Sequence, residues 1–355
     1  MNNKKSKKII KYIIGFLILI LLMALTYYVI FNKFDINETL RQITDSSHKH
    51  YLFISGLMSV FYLGFYGRFC RIGINASGEK TNSIKCFIYG CTDYFYSVIT
   101  PSSSGGQPAV IYFMAKDGIP YPTAGVIVIL QAIFFKVILL FYNLLSIIYI
   151  PDIIASTGNL IKIMLIISAS LAIVAIVLCI LSMYRTRLVS KIGAFSLKIL
   201  GKLKLIRNTD SKIEAFVKVL EDYKSTAAYL KGKRLMLVRM FFVTFLQRSS
   251  MFIIAYFVYK SFGFGEFNFL VFLCIQALIE LAIQTVPIPG FIGISEYTIF
   301  LLNSSIYGSD KILALASMLL IRGFSYYLTF IISSIFVLAK HITVYFTNKR
   351  IKLNN

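Results

Sequence analysis

Apolar residues in this chain come in long unbroken runs, not in the alternating or single-stripe patterns of a soluble domain. An apolar helix of about 20 residues crosses a bilayer. Six runs reach that length, at 9–31, 51–69, 123–150, 159–183, 235–260 and 311–339. Two others, 86–115 and 268–307, are equally apolar but are broken at their centres by Pro and Gly. The pattern predicts an all-α polytopic membrane protein with eight hydrophobic segments, forming one integral membrane domain over 1–355.

Composition fits that reading. Of 355 residues 57% are hydrophobic and 15% charged, beyond the apolar share of ordinary soluble domains. The balance of 37 Lys+Arg against 15 Asp+Glu gives +22, which in a soluble chain would point to nucleic acid. Here the cations flank apolar runs, where they set topology and meet anionic headgroups, so no nucleic-acid partner is expected. The run at 9–31 follows Lys4, Lys5, Lys7, Lys8 and Lys11 like a signal peptide. It is too long for one and lacks a small-residue cleavage site, so a retained helix is predicted.

The charges also assign sides. The stretch 184–234 carries 13 Lys+Arg against 4 Asp+Glu, and residues 340–355 carry four basic residues and no acid. With the lysine-rich N-terminus, these read as cytoplasmic, so both termini lie inside. The stretch 32–50 has three charges of each sign, and 151–158 and 261–267 carry no Lys or Arg; these read as external loops. Parity then forbids 86–115 from crossing, because Lys80, Lys85 and Lys116 put both its ends inside. Its first arm of 15 residues covers roughly 22 Å of a core about 30 Å thick. The expectation is a re-entrant hairpin with its tip at residues 100–108, and a second one over 268–307 with its tip at 286–293. If both segments instead crossed as kinked helices, the basic 184–234 loop would face outside, against the positive-inside rule.

Six spanning helices plus two re-entrant hairpins form an inverted repeat of the halves 51–150 and 235–339. Inverted repeats with discontinuous helices are an architecture of secondary transporters. Within 184–234, Ile192, Phe195, Ile199 and Leu203, then Ile213, Phe216, Leu220, Tyr223 and Ala227, recur at helical spacing between lysines. This predicts two amphipathic helices on the cytoplasmic leaflet.

A broken helix in hydrocarbon must satisfy its freed backbone or line a wet cavity. At the first tip Gly105, Gly106 and Gln107 precede Pro108, with Ser102, Ser103 and Ser104 as hydroxyl donors. At the second, Pro287, Pro289, Gly290 and Gly293 open the returning helix. Both half-helices are expected to aim amide groups at the membrane interior, suited to phosphate or carboxylate; the alternative is a structural kink satisfied by neighbouring helices. Lys136, Arg248 and Arg322 fall near the middles of their helices, Glu280 and Glu296 flank the second tip, and Asp93 lies in the arm leading to the first. An ion at that depth costs roughly 3 kcal/mol or more, so such residues pair or face a cavity. Structural pairing can account for some of them. With Gln107, Gln247, Gln276 and Gln284 nearby, a polar cavity between the halves is expected.

Other chemistry is not indicated. Cys70, Cys86, Cys91, Cys179 and Cys274 sit in apolar stretches without CxxC spacing and read as buried hydrophobes. His48 and His50 share a polar loop with Asp45, and His341 lies at the C-terminal edge, so no metal site is predicted. No P-loop is present and no cofactor is expected. The longest soluble stretch, 51 residues, is too small for a tRNA-using transferase domain.

Thr100-Pro101 with Gly105-Gly106, and the run Pro287-Ile288-Pro289-Gly290-Phe291-Ile292-Gly293-Ile294-Ser295-Glu296, resemble motifs of the lysylphosphatidylglycerol synthase transmembrane (flippase-like) family. The second is similar to the family's Pro-x-Pro-Gly-Gly-x-Gly-x-x-Glu; Phe291 stands where the family commonly has Gly. The resemblance covers nearly the whole chain and implies a bacterial cytoplasmic-membrane protein of lipid metabolism, linked to cationic-peptide antibiotic resistance. It implies a flippase that moves an anionic or aminoacylated phospholipid, such as lysylphosphatidylglycerol, between leaflets. In full-length members a C-terminal cytosolic domain transfers lysine from lysyl-tRNA to phosphatidylglycerol; that domain has no counterpart here. Three readings follow: a lipid flippase holding phosphate with Lys136, Arg248, Arg322 and the two tips; a phosphatidylglycerol lysyltransferase; or a non-transporting membrane partner of a separate synthase subunit.

Overall fold

The computed structural model describes residues 35–184 and 232–353, apart from Thr285, Pro287 and Ser309, with isolated positions before 35 and between 190 and 214. The helix expected over 9–31 and the amphipathic helices expected within 184–234 fall outside the described residues. Within them the chain is helical, and five helices are long and apolar enough to cross a membrane: His50–Ala76, Tyr121–Tyr149, Asn159–Leu181, Arg234–Ser261 and Lys311–Thr343. They match the five remaining unbroken runs. The described chain thus belongs to a membrane protein.

In order, the helices are α1 (Ile36–Thr44), α2 (His50–Ala76), α3 (Ser83–Ile99), α4 (Gly106–Lys116), α5 (Tyr121–Tyr149), α6 (Pro151–Ser156) and α7 (Asn159–Tyr184). They continue with α8 (Arg234–Phe252), α9 (Ile254–Ser261), α10 (Phe269–Ile283), α11 (Ile294–Ser304), α12 (Lys311–Arg322) and α13 (Thr329–Leu353). Only Ile253 separates α8 from α9, and a π-helical turn, Gly323–Leu328, joins α12 to α13.

Local chemistry explains the boundaries. The apolar run in α2 stops near Arg68, but the helix continues to Ala76. It ends there because Gly78, at φ +87°, takes the left-handed position of a C-terminal cap while the Glu79 amide reaches back to the Ile74 carbonyl. Hydropathy marks where lipid stops, not where hydrogen bonding stops. Asn82, Asn268 and Asp310 cap α3, α10 and α12 through their side-chain oxygens.

The broken segments are each two helices. Segment 86–115 becomes α3 and α4, packed against each other, and 268–307 becomes α10 and α11 in the same manner. Arm α3 packs between α2 and α13, whereas α10 packs between α5 and α7. Each broken pair is therefore held by a helix from the other half of the chain. Backbones approach closely at α2–α3. A Cβ on Gly67 would lie 2.7 Å from the Cys86 carbonyl oxygen, and one on Gly90 would lie 2.5 Å from that of Leu63. Small residues permit such contact where lipid offers helices no hydrophobic drive to associate.

The stretch 32–50, expected as a loop, contains a helix. Asp35 accepts from the Asn37 and Glu38 amides to start α1, which lies against α12 with Thr39 buried.

Candidate functional site

The two interruptions meet. After α3 the chain makes a 3₁₀ turn, Pro101–Ser103, and after α10 it makes another, Pro289–Phe291; the two turns pack on each other. Among the described residues, the non-glycine positions with positive φ are Ser102 (52°), Ser103 (53°) and Phe291 (54°), all at these turns. The left-handed region costs an L-residue roughly 1–2 kcal/mol, and strain of this kind collects at functional sites. Phe291 adopts it at the position where the resemblance leads one to expect glycine.

The arms close tightly because Gly105 and Gly106 have no side chain. A Cβ at Gly106 would lie 2.3 Å from Ser97 Oγ and 2.5 Å from the Asp93 carbonyl oxygen. Gly290, at φ +60°, leaves room for the Tyr326 hydroxyl.

Behind the turns lies a cavity of about 390 Å³. Ser102, Ser103, Gln107 and Gly290 reach it from the tips, and Lys136, Arg248, Glu280 and Arg322 reach it from the surrounding helices. Asp93, Gln276 and Gln284 also line it. Gly105, Gly106, Pro289, Gly293 and Glu296 do not: they shape the turns or stand behind the wall, and Ser104 and Pro108 of the first tip also lie outside the lining. Pro287 lies outside the described residues, and Gln247 is buried beside the cavity, accepting from Gln131 at 2.9 Å.

The charges are arranged unequally. Arg322 Nε donates to Glu296 Oε1 at 2.8 Å, with both side chains buried. The other carboxylate oxygen of Glu296 accepts from the Gly293 amide at 2.7 Å and from Ser295 Oγ at 2.9 Å. Glu296 is thus a fully satisfied anchor at the start of α11. The expectation that both half-helices offer free amides is corrected at two positions. Gly293 N–H is taken by Glu296, and Gly105 N–H is taken by Thr100 Oγ1 at 2.8 Å. A buried helix start satisfies its own donors when the sequence supplies an acceptor nearby.

Arg248 Nη1 donates to Glu280 Oε1 at 3.2 Å, and its guanidinium lies 4.0 Å from the Phe135 ring centre. Arg322 stacks on Tyr326 at 3.9 Å. Arg248 Nε and Arg322 Nη2 are buried without hydrogen-bond partners among the described residues. Lys136 Nζ donates to Gln284 Oε1 at 2.5 Å and has no carboxylate within ion-pair distance among the described residues. Donors left open beside a polar cavity suit an anionic group with several acceptor oxygens.

Sequence reasoning missed Tyr62, Tyr94, Phe135 and Tyr326. Aromatic residues inside apolar runs carry no positional signal unless the arginine they stack on is already placed. It also missed the π turn after Arg322, which redirects carbonyls: Phe324 accepts from Ser59 at 2.9 Å and Ser325 from Tyr94 at 2.8 Å. Those bonds tie the wall of the cavity to α2 and α3.

The family model described as "Lysylphosphatidylglycerol synthase TM region" matches residues 12–333. No curated protein matches the chain.

Proposed function

The chain belongs to the lysylphosphatidylglycerol synthase transmembrane family, and from that premise we propose that it moves a phospholipid between membrane leaflets through the cavity between its two broken helices. One observation carries the reading: the Pro101–Ser103 and Pro289–Phe291 turns pack together over a cavity that also gathers Lys136, Arg248 and Arg322.

In this reading the two halves, 51–150 and 235–339, are inverted repeats, and their hairpins enter from opposite faces. The headgroup phosphate is held by Lys136 Nζ and by the open donors of Arg248 and Arg322. Ser102, Ser103 and Gln107 add neutral donors at the first tip. Asp93 and Glu280 stand where an aminoacyl ammonium would sit, so the cavity accepts an anionic or an aminoacylated headgroup. The strained turns and the pairs Arg248–Glu280 and Arg322–Glu296 hold the donors in place before the lipid arrives, which reduces the ordering cost of binding. Alternating access follows from rocking one half against the other while the tips stay in contact.

Reconstitution into liposomes with headgroup-labelled phosphatidylglycerol and lysylphosphatidylglycerol tests this. The expected result is transbilayer movement above that of empty vesicles, lost in Lys136→Ala/Arg248→Ala. Movement no faster than in protein-free vesicles, with the protein folded, would overturn the proposal.

A further inference from the structure

A second groove lies outside the cavity, where α2, α3 and α13 meet. It has a volume of about 490 Å³ and is open along one side. Its floor is the glycine face of α2. A Cβ on Gly64 would meet nothing within 4 Å, while at Gly67 the backbones of α2 and α3 touch and close the base. Phe87 and Phe336, with ring centres 5.1 Å apart, form an apolar wall. Ile84, 69% exposed, forms the lip.

One end of the groove is cationic. Arg68 is exposed and Arg71, one helical turn on, donates to Ser83 Oγ at 2.6 Å. Neither has a carboxylate within ion-pair distance among the described residues. From Tyr66 to Cys86 the chain carries Arg68, Arg71, Lys80 and Lys85 against Glu79 alone. The arginines lie at the end of the apolar run in α2, the depth at which headgroups lie.

We propose that this groove binds one anionic phospholipid, with its phosphate on Arg68 and Arg71 and an acyl chain along Phe87 and Phe336 over the bare Gly64 face. Charge complementarity selects the occupant: two guanidinium groups one helical turn apart match phosphate oxygens in fork geometry, and the apolar wall of Phe87 and Phe336 lines the same groove. A zwitterionic lipid brings a second positive charge to the same place and is disfavoured. The site shares no lining residue with the central cavity, so it stands or falls independently of transport.

The sequence contains no Trp, so a single introduced Trp reports one location. Ile84→Trp places it at the groove lip and Ile167→Trp at an exposed position on α7. Each full-length variant is reconstituted in vesicles mixing phosphatidylglycerol with phosphatidylcholine, one of the two brominated on its acyl chains. At position 84 the relative affinity for phosphatidylglycerol should exceed that for phosphatidylcholine on the order of tenfold, from two arginines near the surface. Arg68→Gln/Arg71→Gln should abolish the preference at 84, and the Ile167→Trp reporter should show none. Equal quenching by both lipids at 84, or a preference that survives Arg68→Gln/Arg71→Gln, overturns the site. Lys136→Ala, which should slow transport, should leave the preference at 84 unchanged.

Discussion

Removing the charge of Glu296 should unfold the second tip more than any single change of equal size on the surface. Its carboxylate is fully buried and serves three donors: Arg322 Nε at 2.8 Å, the Gly293 amide at 2.7 Å and Ser295 Oγ at 2.9 Å. Glu296→Gln keeps the shape and one acceptor oxygen but strands the Arg322 guanidinium without its counter-ion. Breaking one side of a buried pair costs about 3–5 kcal/mol, because the surviving ion stays desolvated. Arg322→Met strands Glu296 in the same way and should cost a similar amount. Removing both leaves no buried ion, so the costs should not add. The double variant should be at least about 2 kcal/mol more stable than the sum of the singles implies, within the range of coupling for directly bonded groups. Unfolding in mixed micelles, followed by circular dichroism for all four proteins, measures this. Additive costs, or a Glu296→Gln variant as stable as the parent, would refute the buried anchor.

Three further outcomes follow from the same geometry. Lys136→Gln should slow lipid movement in liposomes roughly tenfold or more while leaving the fold intact, since it removes a charged donor that has no ion-pair partner among the described residues; Lys136→Arg should retain part of the rate. Gly106→Ala should destabilise the first hairpin by about 1–3 kcal/mol, because its Cβ would press on Ser97 and the Asp93 backbone; thermal unfolding in micelles reads this, and a neutral result would mean the arms are further apart. At Phe291, glycine and alanine variants both lose the ring, so their difference isolates the backbone. The glycine form should be more stable by about 1 kcal/mol if the residue holds φ near +54°.

Much of this architecture was readable from the chain. Unbroken apolar runs gave the five described spanning helices, because a bilayer imposes a length that hydropathy records directly. Pro101, Gly105, Gly106, Pro289 and Gly290 gave the two interruptions, because few other residues break a helix in lipid. Charges near the middles of runs gave Lys136, Arg248 and Arg322, an acid flanking the second tip gave Glu280, and the fold brings all four to one cavity. What escaped is relational. Glu296 looked like a cavity ligand, yet its position three residues past Gly293 makes it the acceptor that closes the start of α11. Thr100 similarly takes the Gly105 amide. Helix α1 was overlooked because the stretch is polar, although Asp35 followed by Glu38 is a helix-start signal. Tyr62 finds its role only through Arg248 on another element, whereas Tyr326 stacks on Arg322 one helical turn before it.

The central claim is that a phospholipid headgroup enters the space between the two turns. A phosphatidylglycerol carrying a photoreactive group on its headgroup, cross-linked to the protein in vesicles and mapped by peptide mass spectrometry, tests it directly. Adducts should fall on residues 102–107 of the first tip and on Ser325 and Tyr326, and Lys136→Ala/Arg248→Ala should remove them. Adducts confined to lipid-facing positions such as those on α7, and unchanged in that variant, would contradict the account.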